Sequence, residues 1–344
     1  MLELSRQEII SQRLYNNGLV VKLKSIDHLL SKSLGIQAQY INHALFNIST
    51  RLDPDSFHSF SELEKKSILA WGQRQTYHFY QKETWQDIVI SLAEQELWPK
   101  KLLTEAGINL ELVSQILEDY LIDKRTRQEV LDFFGPDHKV LFQWSALFLL
   151  HSRQGQLYHT WTTQNDRFVH WHQLNQTTPA PFQMELLLHR YFIFYGPATL
   201  ADAAHFFGIK QSHLANIPLS NLQATTYQGK NYYFDSYHEQ VSLPEIVVLG
   251  KFDPLLIAYA NKDLLIDQDM QAKVWKKAGQ ISAIILKKGK LVATWTFSNK
   301  KSDISFTVEV QGKLLKKDKK QIESVFKTYC RQMKKQLKSI SYLN

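Results

Sequence analysis

Gln37 and Gln39 stand one residue apart in the run Gly35-Ile36-Gln37-Ala38-Gln39. A glutamine amide takes no proton near neutral pH, but its carbonyl accepts a hydrogen bond and its NH₂ group donates. Two such groups on one short segment could place a water molecule for attack without deprotonating it. Two surface amides on a helix or loop would read the same way, so the pair gains its meaning from what surrounds it.

The chain has 344 residues, 44% of them hydrophobic, which suits two to four ordinary packed modules. No apolar run has the length of a membrane span; Leu141 to Leu150 fits a buried helix instead. The first eight residues are polar and acidic, unlike a signal peptide. Cys330 is the only cysteine, which excludes an internal disulfide and a cysteine-rich zinc finger. These features read as a cytoplasmic protein. The net charge of +8 favours a polyanionic partner. The charge is uneven: between Lys313 and Lys338 the lysines are dense and Asp318 and Glu323 are the only acids, a pattern that also describes a solvated terminal helix.

Element signals come next. Ser5 to Glu8, Ser61 to Glu64 and Thr126 to Glu129 are capping-box patterns. Ser25 opens a second helix that Gly35 closes, and Ala38, Ile41, Leu45 and Ile48 predict a third helix over about 37–49. Thr76 to Tyr80 is rich in strand formers, and 157–161 with 167–169 reads as a hairpin turning through Asn165 and Asp166. Further on, a helix over 182–195 is followed by a short helix from Thr199 to Gly208, another over 211–217, and a hairpin turning at Gln228-Gly229-Lys230. Helix, turn, helix and hairpin is the winged-helix order. The tail predicts strands over 281–286, 291–297 and 304–310, then a lysine-rich helix over 318–338. The expected fold is therefore mainly α with β wings: three tandem winged-helix domains over 1–95, 96–178 and 179–242, and a β-barrel-like module with a terminal basic helix over 243–344.

Four segments together resemble the AlkZ-like winged-helix DNA glycosylases. They are Ile36-Gln37-Ala38-Gln39; Arg74-Gln75-Thr76-Tyr77-His78, where Gln75 replaces a usual glycine; Arg190-Tyr191 through Tyr195-Gly196-Pro197-Ala198-Thr199 to Ala201-Asp202; and Leu249-Gly250-Lys251-Phe252-Asp253-Pro254-Leu255, with Gly289-Lys290 and Thr294-Trp295 beyond. The resemblance spans nearly the whole chain, and Gln39 places it with the two-glutamine branch. It implies a monofunctional DNA glycosylase that removes N7-alkylated guanine or unhooks crosslinks joined at that atom. Gln37 and Gln39 would be catalytic, and Arg74, Thr76 and His78 would contact DNA. The partner would be double-stranded DNA carrying N7-alkylguanine, with no membrane and no metal or organic cofactor, and the enzyme would act as a monomer.

N7-alkylguanine is already cationic and leaves without being protonated. Water attacking the resulting oxocarbenium-like carbon needs orientation more than activation, so neutral amides suffice. A crosslink is tied to both strands and cannot be rotated out of the helix, so both glutamines should be open to solvent. His159, His170 and His172 alternate across the second hairpin without a carboxylate or cysteine set, which reads as a wing surface and not a metal site. Asp253 reads as a local cap. The alternatives are a winged-helix transcription regulator and a non-catalytic DNA-lesion binding protein, since fold alone does not fix function. Glutamines placed in the first module, away from the expected recognition helix, favour the enzyme.

Overall fold

Helices begin where a side-chain oxygen can take the free N–H groups of the first turn. Ser5 and Glu8 form a reciprocal capping box at helix Arg6–Asn16. Ser25 caps helix Ile26–Ser33, which stops at Leu34 in the left-handed conformation. Thr199 and Asp202 cap helix Leu200–Phe207, and Gly208 ends it. Thr126 and Glu129 do the same for helix Arg127–Phe134. Each start was legible in the sequence.

A computed structural model describes residues 2–164, 166–173 and 180–343. Asn165, in the expected hairpin turn, and the expected boundary at 178/179 lie outside the described residues. The chain divides into two units, Met1–Phe60 with Leu188–Asn344, and Ser61–Leu187. No described helix is long and apolar enough to cross a membrane.

The first unit holds two sheets. In the smaller one, Leu2–Glu3 runs parallel to Gln223–Tyr227, which pairs antiparallel with Lys230–Phe234. The hairpin turn places Gln228 and Gly229 at φ of 48° and 71°, as a tight two-residue hairpin turn needs. In the larger sheet the strands run Ile246–Leu249, Ala283–Lys287, Lys290–Asn299, Asp303–Val310 and Gln336–Leu343 in spatial order. The first four are antiparallel neighbours; the last lies parallel to Asp303–Val310, joined to it through helix Lys316–Gln332. A parallel pair requires such a crossover. Trp295 centres the core here. Its ring lies 4.6 Å from Phe46, and its indole N–H donates to the Leu249 carbonyl at 2.9 Å. Phe306 and Phe326 stack at 3.9 Å.

The second unit carries an antiparallel sheet in the order Tyr77–Tyr80, Ile68–Trp71, Leu157–Trp161, Arg167–Trp171, Arg125–Thr126. Leu157, His159 and Trp161 are buried at alternate positions, the period-2 signature of a strand. The Trp161 indole donates to Ser67 Oγ at 3.0 Å, and Ser152 Oγ accepts from the Trp71 amide at 2.9 Å.

Several expectations change. The architecture is mixed α/β and not mainly α, because the tail sheet is broad. That sheet is open, with edges at Ile246–Leu249 and Gln336–Leu343, so it is not a closed barrel. The terminal helix ends at Gln332, and Lys334 at φ 54° turns the chain back into the final strand. The third helix is Ile41–Ser49, shorter at its start than expected, with Ile36–Gln37 extended before it. The helix at the Ser61 pattern is only Ser61–Lys66, with strand Ile68–Trp71 after it, and 211–217 contains only the 3-10 turn Gln211–His213.

Three histidines sit inside the protein: His43, His78 and His159 are 8%, 3% and 1% exposed. Burial pulls each from 6.5 down to about 3, assisted at His43 by Lys251, at His78 by Arg74, and at His159 by Arg127 and Arg167. All three are neutral when folded. As pH falls below 6.5 the unfolded chain takes up protons that the folded chain refuses, so stability is full above 6.5 and declines from there towards 3. Each histidine should cost about 2 kcal/mol between pH 7 and pH 5, above the carboxylate range. Urea midpoints should therefore drop over that interval, and His159→Phe should shrink the drop in the second unit. A flat profile from pH 7 to 5 would contradict buried neutral imidazoles.

Candidate active site

The glutamine segment lies between two helices of the first unit. Leu34 and Gly35, at φ of 55° and 98°, break the second helix and send the chain into the extended pair Ile36–Gln37. Leu34, Ile36 and Ala38 are buried and fix the segment to the core. Gln39 and Tyr40 are exposed, and the third helix starts one residue later. Gln37 is only 5% exposed. The expectation of two open amides is therefore corrected: Gln39 is exposed to solvent, and Gln37 is buried. The segment is pinned by apolar side chains on either side of Gln37, so burial reaches that residue too.

The third helix is held by the loop that follows strand Ile246–Leu249. His43, Asn47 and Arg51, spaced four apart, all reach that loop from one side. His43 Nδ1 accepts from the Lys251 amide at 3.2 Å. Asn47 accepts from the Gly250 amide at 2.7 Å and donates to the Lys251 carbonyl at 3.1 Å. Arg51 makes a two-pronged pair with Asp253, at 2.7 and 2.8 Å, with both side chains fully buried. Asp253 also caps helix Pro254–Ile257 by accepting from the Leu255 amide at 2.9 Å. A Cβ at Gly250 would lie 2.6 Å from Asn47 Oδ1, so the approach requires glycine there.

Next to Gln39, Tyr40 stacks on Phe252 at 5.6 Å and donates its hydroxyl to Gln280 at 2.8 Å. The Lys251 ammonium sits 5.1 Å over the Tyr40 ring, a cation–π contact. On the other flank of the helix, the Tyr329 hydroxyl donates to the Asn42 carbonyl at 2.9 Å and Ser49 donates to Gln332 at 2.5 Å. Asp253 was read from the sequence as a local cap and has that role, with the Arg51 pair in addition. His43, Asn47 and Tyr40 were not singled out. Their signal was the four-residue spacing of polar groups on a helix otherwise made for a core.

Arg74, Thr76 and His78 lie in the second unit. Arg74 and Gln75 both have left-handed backbone, at φ of 55° and 53°. Gln75 stands where the resembled family has glycine, and it keeps a glycine-like conformation, with its amide donating to the Glu96 carbonyl at 3.2 Å. Arg74 and Thr76 are half-buried, and Thr76 donates to the Gln73 carbonyl at 3.2 Å. His78 is buried, with Nδ1 2.9 Å from the Thr76 carbonyl. The structure thus groups Gln37 with Gln39 in one unit, and Arg74, Thr76 and His78 in the other.

The hairpin histidines have partners of their own. His159 packs against Trp71, Tyr77 and Phe148. His170 lies 2.8 Å from Thr160 Oγ1 and stacks on Tyr158, and His172 lies 2.9 Å from the Gln86 amide. Among the described residues, no group of three or more His, Cys, Asp or Glu stands close enough to hold a metal ion.

Comparison with known proteins adds an independent line. Residues 30–331 match the family described as "DNA glycosylase AlkZ-like". No curated protein matches the chain. Among solved structures, the Streptomyces sahachiroi DNA glycosylase AlkZ is similar, with a TM-score of 0.77 and 17% identity over 99% of this chain and 100% of that one. At that identity the likeness is one of fold. The family match covers most of the chain, and with it the segment that holds Gln37 and Gln39: this chain belongs to the AlkZ-like DNA glycosylase family.

Proposed function

We propose that this DNA glycosylase hydrolyses the N-glycosidic bond of N7-alkylated guanine, including guanines crosslinked to the opposite strand, and that Gln37 and Gln39 hold the attacking water. The observation that carries the reading is the split environment of the pair. Gln39 is open to solvent and Gln37 is enclosed, on a segment fixed by a left-handed break before it and a clamped helix after it. A fixed amide can orient water without the entropy loss of a mobile one.

The chemistry follows from the leaving group. The C1′–N9 bond breaks, and its electron pair cancels the charge on the N7-alkylated purine. Water oxygen bonds to C1′ from the other side, and its proton passes to bulk water. The amide oxygens favour the cationic sugar as it forms. Gln39 would contact the water on the solvent side, with Gln37 supporting it from within. Lys251, beside Tyr40, would meet a phosphate. Arg74 and Thr76 would meet DNA from the second unit, with His78 holding the Thr76 backbone from behind. The nucleophile is water and not an amine, so no lyase step follows.

In the same reading, helices Ala180–Tyr195 and Leu200–Phe207 with the hairpin 223–234 form one winged helix, in a series of three modules, 1–95, 96–178 and 179–242, before the β-rich 243–344. The unit boundary at Phe60 falls inside the first of these. The partner is damaged double-stranded DNA, bound by a monomer.

Incubation with duplex containing N7-methylguanine should release free base, and borohydride should trap no protein–DNA adduct. Gln37→Ala and Gln39→Ala should each slow release by about ten- to a thousandfold, the range for losing a transition-state hydrogen bond, while affinity for undamaged duplex stays near that of the parent. A double variant that cleaves at the parent rate would refute the assignment.

Lesion size gives a separate check. Because Gln39 lies open, a bulky N7 adduct should be excised at a rate within about tenfold of the methyl lesion in the same duplex, a difference near 1.4 kcal/mol. Activity confined to the methyl lesion would point to extrusion into an enclosed pocket.

A further inference from the structure

Ten basic residues and two acids lie between Lys313 and Lys338, an excess equal to the +8 of the entire chain. The remainder of the protein is neutral overall. The structure shows how this charge is arranged. Helix Lys316–Gln332 buries Ile322, Phe326, Tyr329 and Cys330, and Tyr329 and Gln332 bond the third helix as described. The opposite side exposes Lys317, Lys320, Ser324, Lys327 and Arg331, at spacings of three and four that align them in one row.

Of the two acids of the segment, Asp318 is turned away from that row and Glu323 is the one that neighbours it. Asp318 is buried, 2.6 Å from Lys287, and accepts from the Leu315 amide at 2.7 Å. Glu323 is half-buried. Lys317 comes within 3.6 Å of Glu245 at the near end, and Lys338 is exposed on the strand beyond the far end. Like charges three and four apart weaken a helix. This helix tolerates them because its inner face is anchored in the Trp295 core.

We propose that this outward row is a second DNA contact, separate from the glutamine segment, that grips the phosphate backbone of undamaged duplex. Lys317 to Arg331 spans roughly 21 Å at 1.5 Å per residue, the length of about six base pairs. The row faces away from the third helix, so it would hold DNA beside the lesion and take no part in the chemistry. The proposal rests on DNA being the substrate, and its test needs no excision.

Affinity for undamaged duplex is measured against salt for the full chain, for a quadruple variant Lys317→Gln, Lys320→Gln, Lys327→Gln and Arg331→Gln, and for a control Lys65→Gln, Lys66→Gln, Lys100→Gln and Lys139→Gln, all at exposed positions. Circular dichroism confirms that each is folded. The helix variant should lower the slope of log K against log salt by about 3.6, the expectation for losing four phosphate contacts, and the control by less than about 1. Single-turnover excision at saturating enzyme should be unchanged in both. An unchanged slope in the helix variant would overturn the proposal. Equal losses in the two variants would also overturn it, because affinity would then follow net charge and not this face. Absence of excision in the parent would count against the lesion assignment alone.

Discussion

The buried pair between Arg51 and Asp253 is the constraint on which the rest of the first unit depends. Its two partners lie 202 residues apart in sequence, and both side chains are fully excluded from solvent. A buried pair is a weak source of net stability, because both charges lose their water. Breaking it is another matter: removal of one partner leaves an uncompensated charge, at a cost of about 3–5 kcal/mol. Such a pair acts as a latch. It admits one arrangement of the third helix against the loop after strand Ile246–Leu249, and Asn47 and His43 repeat the contact one and two turns closer to the glutamines.

That latch fixes the far end of the short segment that carries Gln37 and Gln39. Gln37 ends the short strand Ile36–Gln37, and Ala38 to Tyr40 belongs to no helix or strand. Its start is fixed by the left-handed turn at Leu34 and Gly35, and its end by the helix that the latch secures. The terminal basic helix closes the arrangement from the other flank through Tyr329 and Gln332. In the proposed mechanism, where the leaving group departs by itself, positioning of this kind is the contribution left to the enzyme.

Much of this was legible in the sequence where the determinants are local. Ser5, Ser25, Thr126 and Thr199 marked their helices because capping is decided within four residues. Gln228-Gly229 marked its hairpin because few residues tolerate positive φ. The misreadings came where distant partners decide. Ala38 fits the apolar period of the third helix, but its burial belongs to the segment before that helix. Residues 333–338 read as the end of a lysine helix until the parallel pairing of Gln336–Leu343 with Asp303–Val310 is seen. An open and a closed sheet share the same strand pattern, so the barrel expectation had no local signal to correct it. The glutamine pair and Asp253 gained their weight through resemblance to a family, and the clamp residues His43 and Asn47 showed only a four-residue spacing of polar groups, because nothing in a single sequence joins them to residue 250.

The central claim is that clamping the third helix positions the glutamines for chemistry. A double-mutant cycle with Asn47→Ala and Gln39→Ala tests it most directly, read as the single-turnover rate of N7-methylguanine release at saturating enzyme. If Asn47 works through the glutamine segment, its loss should slow the parent enzyme strongly and the Gln39→Ala enzyme little, a coupling of about 1 kcal/mol or more. Equal slowing in both backgrounds would mean that the clamp and the glutamines act independently, and would contradict the account.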